Sequence, residues 1–226
     1  MMLSETKHSD VDTMDNNGDT PLHIACSHGN SYVIKKVLKT KMNINLPNNN
    51  AETPLHVACK LNNKTAVQIL KENRANLTFV DKNLRTPLIT AAYFNNTEAA
   101  IMLFHGSDNQ NDPFLFIDTD DPLISDIDCK SQNNPIDARD MEGNTALHYC
   151  AMFQNVELAK FLVNCGARTT ILNNHQETAA SIVVNQDSGT TSEIYTEVFE
   201  PLLNMEWTTA TESSELFPEY FPATHQ

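Results

Sequence analysis

Three histidines, His23, His56 and His148, are the first residues to weigh for chemistry. Each closes a short run, Thr20-Pro21-Leu22-His23, Thr53-Pro54-Leu55-His56 or Thr145-Ala146-Leu147-His148. A histidine can ligate a metal or act as a general base. It can equally bond the backbone of an adjacent turn. The equivalent position holds Ile89 in a third copy of the run and Ser181 in a fifth, which suits scaffolding better than catalysis. The five cysteines are Cys26, Cys59, Cys129, Cys150 and Cys165, and none forms the C-x-x-C pair that zinc or redox chemistry uses. Three of them (Cys26, Cys59, Cys150) stand at small-residue positions inside predicted helices, where packed, reduced thiols belong. No phosphate-binding loop, nucleophile elbow or His-Glu-x-x-His run occurs. The chain therefore reads as a protein without catalytic residues, metal or cofactor.

The elements that carry these residues repeat. The stretch Asp140 to Ala151 has earlier copies at Asp15–Cys26, Asn48–Cys59 and Asp81–Ala92, and a weaker one at Asn173–Val184. The marker threonines Thr20, Thr53, Thr86, Thr145 and Thr178 are spaced by 33, 33, 59 and 33 residues, so the long gap is one period plus 26. Within a copy, Gly143 and Asn144 suit a tight turn that needs positive φ. Thr145 then caps a helix, and in three other copies proline follows the threonine at the first helical position (Pro21, Pro54, Pro87). Gly29, Asn62, Asn95 and Gln154 fall where the chain reverses, and all but Gln154 are types that tolerate the left-handed region. A second helix follows with an apolar face, such as Val156, Ala159, Phe161, Leu162 and Val163. In the first copy the second helix is expected over Ser31–Thr40, with Val33, Ile34, Val37 and Leu38 inward. In the third, Leu84 replaces the turn glycine, which predicts a distorted tip.

The pattern D-x-x-G-x-T-[PA]-L-H-x-A-A at a period of 33 resembles the ankyrin repeat, over residues 12–204. The resemblance implies an all-α fold: an ankyrin-repeat solenoid of stacked helix-turn-helix units with short β-hairpin tips. One unit cannot bury its apolar face alone, so the units must stack. The organisation read from this is a polar N-terminal segment at 1–11 and repeats at about 12–45, 46–77, 78–106, 137–169 and 170–204. An acidic insertion occupies 107–136, and an acidic, flexible tail 205–226. A last helix is expected over Glu193–Asn204 with Ile194, Val198, Leu202 and Leu203 inward.

Ankyrin-family proteins bind partners through tips and the concave face of the first helices. Carried to matching positions, this implies a partner-binding set of Lys60, Leu61, Lys82, Arg85, Tyr93, Phe94, Met141, Glu142, Met152 and Phe153. Tyr93, Phe94, Met152 and Phe153 are expected to face solvent as one apolar patch rimmed by Lys82 and Arg85, or else to be covered by the insertion as core. The function implied is a non-enzymatic protein-interaction scaffold or adaptor. Several repeats with an acidic Ser/Thr/Glu-rich tail are also similar to inhibitor-of-NF-kappa-B proteins, and Thr145 to Val156 is similar to the Notch ankyrin domain. Those likenesses imply a transcription-factor inhibitor or cofactor; a regulatory subunit of an enzyme is the reading from another class. Asn45 resembles the asparagine that asparaginyl hydroxylases modify in such repeats. Asp187-Ser188-Gly189-Thr190-Thr191-Ser192 has the form of a phosphodegron, but lies in the fifth copy.

The net charge of −14 sits mostly in the C-terminal half: the insertion holds 1 basic against 7 acidic residues, and no Lys or Arg follows Arg168. That balance disfavours direct nucleic-acid binding and favours a partner with a basic segment, or serves solubility alone. Acid interleaved with Phe114, Phe116 and Ile117 in the insertion would clamp a basic amphipathic segment or fold back on the stack. It lacks the glycine and terminal glutamate of a calcium loop. With no long apolar run and no basic-then-apolar leader, the expectations are a monomer in the cytoplasm or nucleus, without a membrane span or secretory signal.

Overall fold

The computed structural model describes residues 13–104, 135–186 and 193–200. Helices come in pairs: α1 (Pro21–His28) and α2 (Ser31–Leu38), α3 (Pro54–Lys60) and α4 (Lys64–Glu72), α5 (Pro87–Tyr93) and α6 (Thr97–Met102), α7 (Ala146–Met152) and α8 (Val156–Asn164). The last pair is α9 (Ala179–Gln186) and a π-helical turn, Tyr195–Phe199. First helices stack on first helices, α1 on α3 on α5 on α7 on α9, and second helices form a parallel outer row. The row continues from α5 directly to α7, so the 26 additional residues leave the stack unbroken.

Local chemistry sets each boundary. Thr20, Thr53, Thr86 and Thr145 stand before the inner helices in extended conformation, and Pro21, Pro54 and Pro87 occupy the first turn. Asn30, Asn63 and Asn155 cap the outer helices with their side-chain oxygens. The reversals use Gly29, Asn62, Asn95 and Gln154 at φ between 52 and 68°. Small residues on the inner helices (Ala25, Cys26, Ala58, Cys59, Ala91, Ala92, Cys150, Ala151) are all buried, which lets neighbouring helices approach. Larger side chains such as Leu70, Ile101, Leu103 and Leu162 fill the space between rows, each contributing about 1.5–3 kcal/mol by leaving water.

Among the described residues the tips contain no strand; each is a tight turn built the same way. Asp15, Asn48, Asp81, Asp140 and Asn173 use Oδ1 to accept the backbone N–H groups two and four residues on. One backbone bond then links each tip to the next: Asn49 N–H to Asn17 C=O, Lys82 to Asn50, Met141 to Asn83 and Asn174 to Glu142. This scaffold overrides the expectation of a distorted third tip. Leu84 adopts φ 59°, beside 76° for Gly18 and Gly143, and keeps the same bonds. A β-carbon in that region costs about 1–2 kcal/mol, more than the entropy glycine loses. Leu84→Gly should therefore raise stability by about 0.5 kcal/mol, seen as a small rise in Tm with unchanged helical content.

Other expectations need correcting. α2 ends at Leu38, and Val33 points out, 40% exposed, while Ile34 is fully buried. The last element is a π-helical turn, with Ile194, Val198 and Phe199 buried. Segment 1–11, insertion residues 107–134, the Asp187–Ser192 loop, Leu202, Leu203 and the tail 205–226 lie outside the described residues.

Candidate functional site

The histidines are engaged on both ring nitrogens. Thr20 N–H donates to His23 Nδ1 at 3.0 Å, Thr53 N–H to His56 Nδ1 at 3.1 Å, and Thr145 N–H to His148 Nδ1 at 3.1 Å. An acceptor Nδ1 leaves the proton on Nε2. Nε2–H then donates across the repeat junction, to Glu52 C=O at 2.9 Å, Arg85 C=O at 3.0 Å and Glu177 C=O at 3.1 Å. Burial holds all three imidazole pKa values below the ordinary value, although the bonds to carbonyl groups pull the other way. Neutral rings with no free nitrogen fix one repeat to the next. Among the described residues no three His, Cys, Asp or Glu side chains converge to hold a metal ion. The thiols are equally quiet: burial pushes Cys26 up to about 12, and raises Cys59 and Cys150 further.

The third junction is fastened differently. Ile89 is fully buried and cannot make the histidine bond. At the earlier junctions Asn63 Nδ2 reaches Cys26 C=O, and Asn96 Nδ2 reaches Cys59 C=O. Asn155 Nδ2 meets side chains instead, Asn95 Oδ1 and Thr97 Oγ1. In place of the missing bonds stands an aromatic ladder. Tyr93 packs edge-on against Tyr149 with centroids 5.2 Å apart, and against Phe94 at 5.1 Å. Tyr149 stacks on Phe153 at 6.4 Å. Arg85 Cζ lies 3.6 Å from the Tyr93 centroid, and Lys60 Nζ lies 5.6 Å from that of Phe94. Tyr149 donates its hydroxyl to Asp140 Oδ2, and burial followed by that bond raises its pKa strongly.

The structure thus brings Lys60, Arg85, Tyr93, Phe94 and Phe153 together. Phe94 and Phe153 are 42% and 46% exposed, and Leu61, at the equivalent place one repeat earlier, is 52% exposed. Tyr93 and Met152 are not the solvent-facing residues expected; both are half-buried against the core, as residues wedged between two inner helices must be. Arg85 does not rim the cluster. It lies beneath it, its side chain 15% exposed between Tyr93 and Asp140. Lys60 pairs with Glu52 at 2.9 Å. Hydrogen bonds from Lys60 and Asn48 hold the Glu52 carboxyl below its ordinary pKa against the larger opposing effect of burial. Lys82, Met141 and Glu142 are exposed on the tips. Sequence reasoning missed Tyr149. It lies four residues before Phe153, hence on the same helix face, which was the available signal.

The regular tips, the capped helix pairs and their stacking define a repeat that known families share. A family model for ankyrin repeats, in three copies, matches residues 1–81 and 42–112, and one for a single ankyrin repeat matches residues 142–174. No curated protein matches the chain. Ankyrin repeats form protein–protein interaction modules, and no helix among the described residues is long and apolar enough to cross a membrane. The matched models cover the first four helix pairs, three before the 59-residue spacing and one after it, and the chain belongs to the ankyrin-repeat family.

Proposed function

We propose that this chain is a non-enzymatic scaffold or adaptor that docks a partner protein on the inner face of repeats two to four. The exposed row Leu61, Phe94 and Phe153 supports this reading. These apolar side chains stand on a rigid floor of Tyr93, Tyr149 and Met152, and rigid aromatic residues around a packed centre are what binding hot spots are made of. Lys60 and the tip residues Lys82, Met141 and Glu142 flank the row. A partner's basic segment would be served by the acidic insertion rather than by this row.

The test is affinity purification with quantitative mass spectrometry from cells that express the chain. Three baits are compared: the full chain, Phe94→Ser with Phe153→Ser, and a chain lacking residues 108–134. Partners of the full chain should be depleted about a hundredfold or more on the double variant, at roughly 2 kcal/mol per hot spot. Its Tm should stay within a few degrees, because both rings are half exposed. Undiminished capture by the double variant would move the site elsewhere, and loss only on the deletion would assign it to the insertion.

A further inference from the structure

The residue just before each capping threonine is Asp19, Glu52, Arg85, Asn144 or Glu177, so the third repeat alone places a cation there. Arg85 Cζ lies over the Tyr93 ring, and its Nε approaches Asp140 Oδ2 only to 3.9 Å, too far for a hydrogen bond. Asp140 is already engaged. Its Oδ1 accepts the N–H groups of Glu142 and Asn144, and its Oδ2 accepts the Tyr149 hydroxyl. Arg85 Nε is buried with no hydrogen-bond partner. The Thr90 hydroxyl is in the same condition, in a residue 3% exposed and one helical turn before Tyr93 on α5. Two buried, unbonded polar groups in one repeat are unusual, since such groups cost about 1–3 kcal/mol each.

Asp140 is the carboxylate that faces Arg85, and the other nearby carboxylates are engaged elsewhere. Lys60 is matched by Glu52, and Glu142 accepts from Asn144 Nδ2 at the tip. Asp140 pairs with the guanidinium at 3.9 Å without a hydrogen bond, while Lys82 adds an exposed cation on the third tip. A cation arriving here would meet Arg85 in a half-desolvated setting. A carboxylate would find a planar donor already held in place over the Tyr93 ring.

Resting on the docking reading above, we propose that this groove takes a partner-protein segment that presents an Asp or Glu side chain to Arg85, with flanking apolar side chains seated on Phe94 and Phe153. The occupant is an acidic-apolar segment, the opposite charge from the one the acidic insertion would attract.

Selection of a phage-displayed library of random short peptides on the full chain tests this. The same selection is run on Arg85→Gln, Arg85→Lys and Phe94→Ser, each checked for an unchanged circular dichroism spectrum. Peptides enriched on the full chain should pair an acidic residue with apolar neighbours. Arg85→Gln should keep the apolar preference and lose the acidic one, and Phe94→Ser should lose both. Measured by fluorescence anisotropy, the best peptide should bind Arg85→Lys about tenfold more weakly, because the lysine keeps the charge but not the planar fork. Apolar peptides without acidic enrichment, or acidic enrichment that survives Arg85→Gln, would overturn the proposal and leave the docking reading standing. No Phe94-dependent enrichment would overturn both. Enrichment of basic peptides would overturn the proposal alone.

Discussion

Replacing His56 by alanine should destabilise the stack by about 3 kcal/mol. The ring is fully buried. Its removal strips the Thr53 N–H of its acceptor and the Arg85 carbonyl of one of two donors, and opens a cavity beside α5. Each unsatisfied group costs about 1–3 kcal/mol, and the void adds to that. The position in the stack enlarges the effect. His56 joins the second repeat to the third, so its loss weakens an internal interface on which both halves lean. Urea unfolding followed by circular dichroism would measure it. A fall in the midpoint for His56→Ala, with a separate early phase for the N-terminal repeats, is the expected result. An unchanged midpoint would mean that the histidine bonds carry no coupling between repeats. His23→Ala should cost less, since it releases only the terminal repeat.

The contrast with Ile89 explains how much of the molecule was legible beforehand. The period of 33 and the run from threonine to histidine located every inner helix, because capping and reversal are decided by a few adjacent residues. Gly29, Asn62 and Asn95 named their own left-handed turns for the same reason, and Gln154 followed by register. The third tip was misread because Leu84 was judged by its own preference. Its geometry is imposed by Asp81 Oδ1 and by the bonds from Lys82 to Asn50 and Met141 to Asn83, which lie outside the local run. The candidate site was half legible. Tyr93, Phe94, Met152 and Phe153 declared themselves as bulky apolar residues at helix-end positions. What Arg85 does could not be read, since Tyr93 is eight residues away and Asp140 lies beyond the insertion. The π-helical turn at Tyr195–Phe199 had no marker in the periodicity at all.

That site also sits at the junction least like the others. The first, second and fourth junctions are closed by histidine bonds from buried neutral rings; the third relies on Tyr93 against Tyr149 and on Asn155. There the aromatic side chains that fasten the junction are also the floor beneath Phe94 and Phe153. Arg85 takes part in two junctions. Its carbonyl receives His56 at the second junction, while its side chain lies on Tyr93 and beside Asp140 at the third.

Acid should loosen the three histidine junctions together. In the folded chain burial holds the pKa values of His23, His56 and His148 below the ordinary value, and in the unfolded chain they return to about 6.5. Below that pH the unfolded state binds more protons than the folded state, so stability falls as pH falls. The contribution is fully present above the unfolded pKa and is lost as pH drops below it toward the folded values. The chemistry explains the sign. A protonated Nδ1 can no longer accept the Thr N–H, and two donors would face each other at 3.0 to 3.1 Å. Linkage caps each histidine at about 1.4 kcal/mol per pH unit, so three acting together would take about 4 kcal/mol per unit at the steepest. Glu52, with its carboxyl pKa lowered, adds a further loss in the same direction at still lower pH. Thermal melts from pH 8 to about pH 3 should show a flat Tm above about pH 7 and a steep fall below about 6.5. The fall should be shallower by one proton in His56→Gln. A profile that starts to fall only in the carboxylate range would remove the histidines from the account and leave Glu52 as its cause.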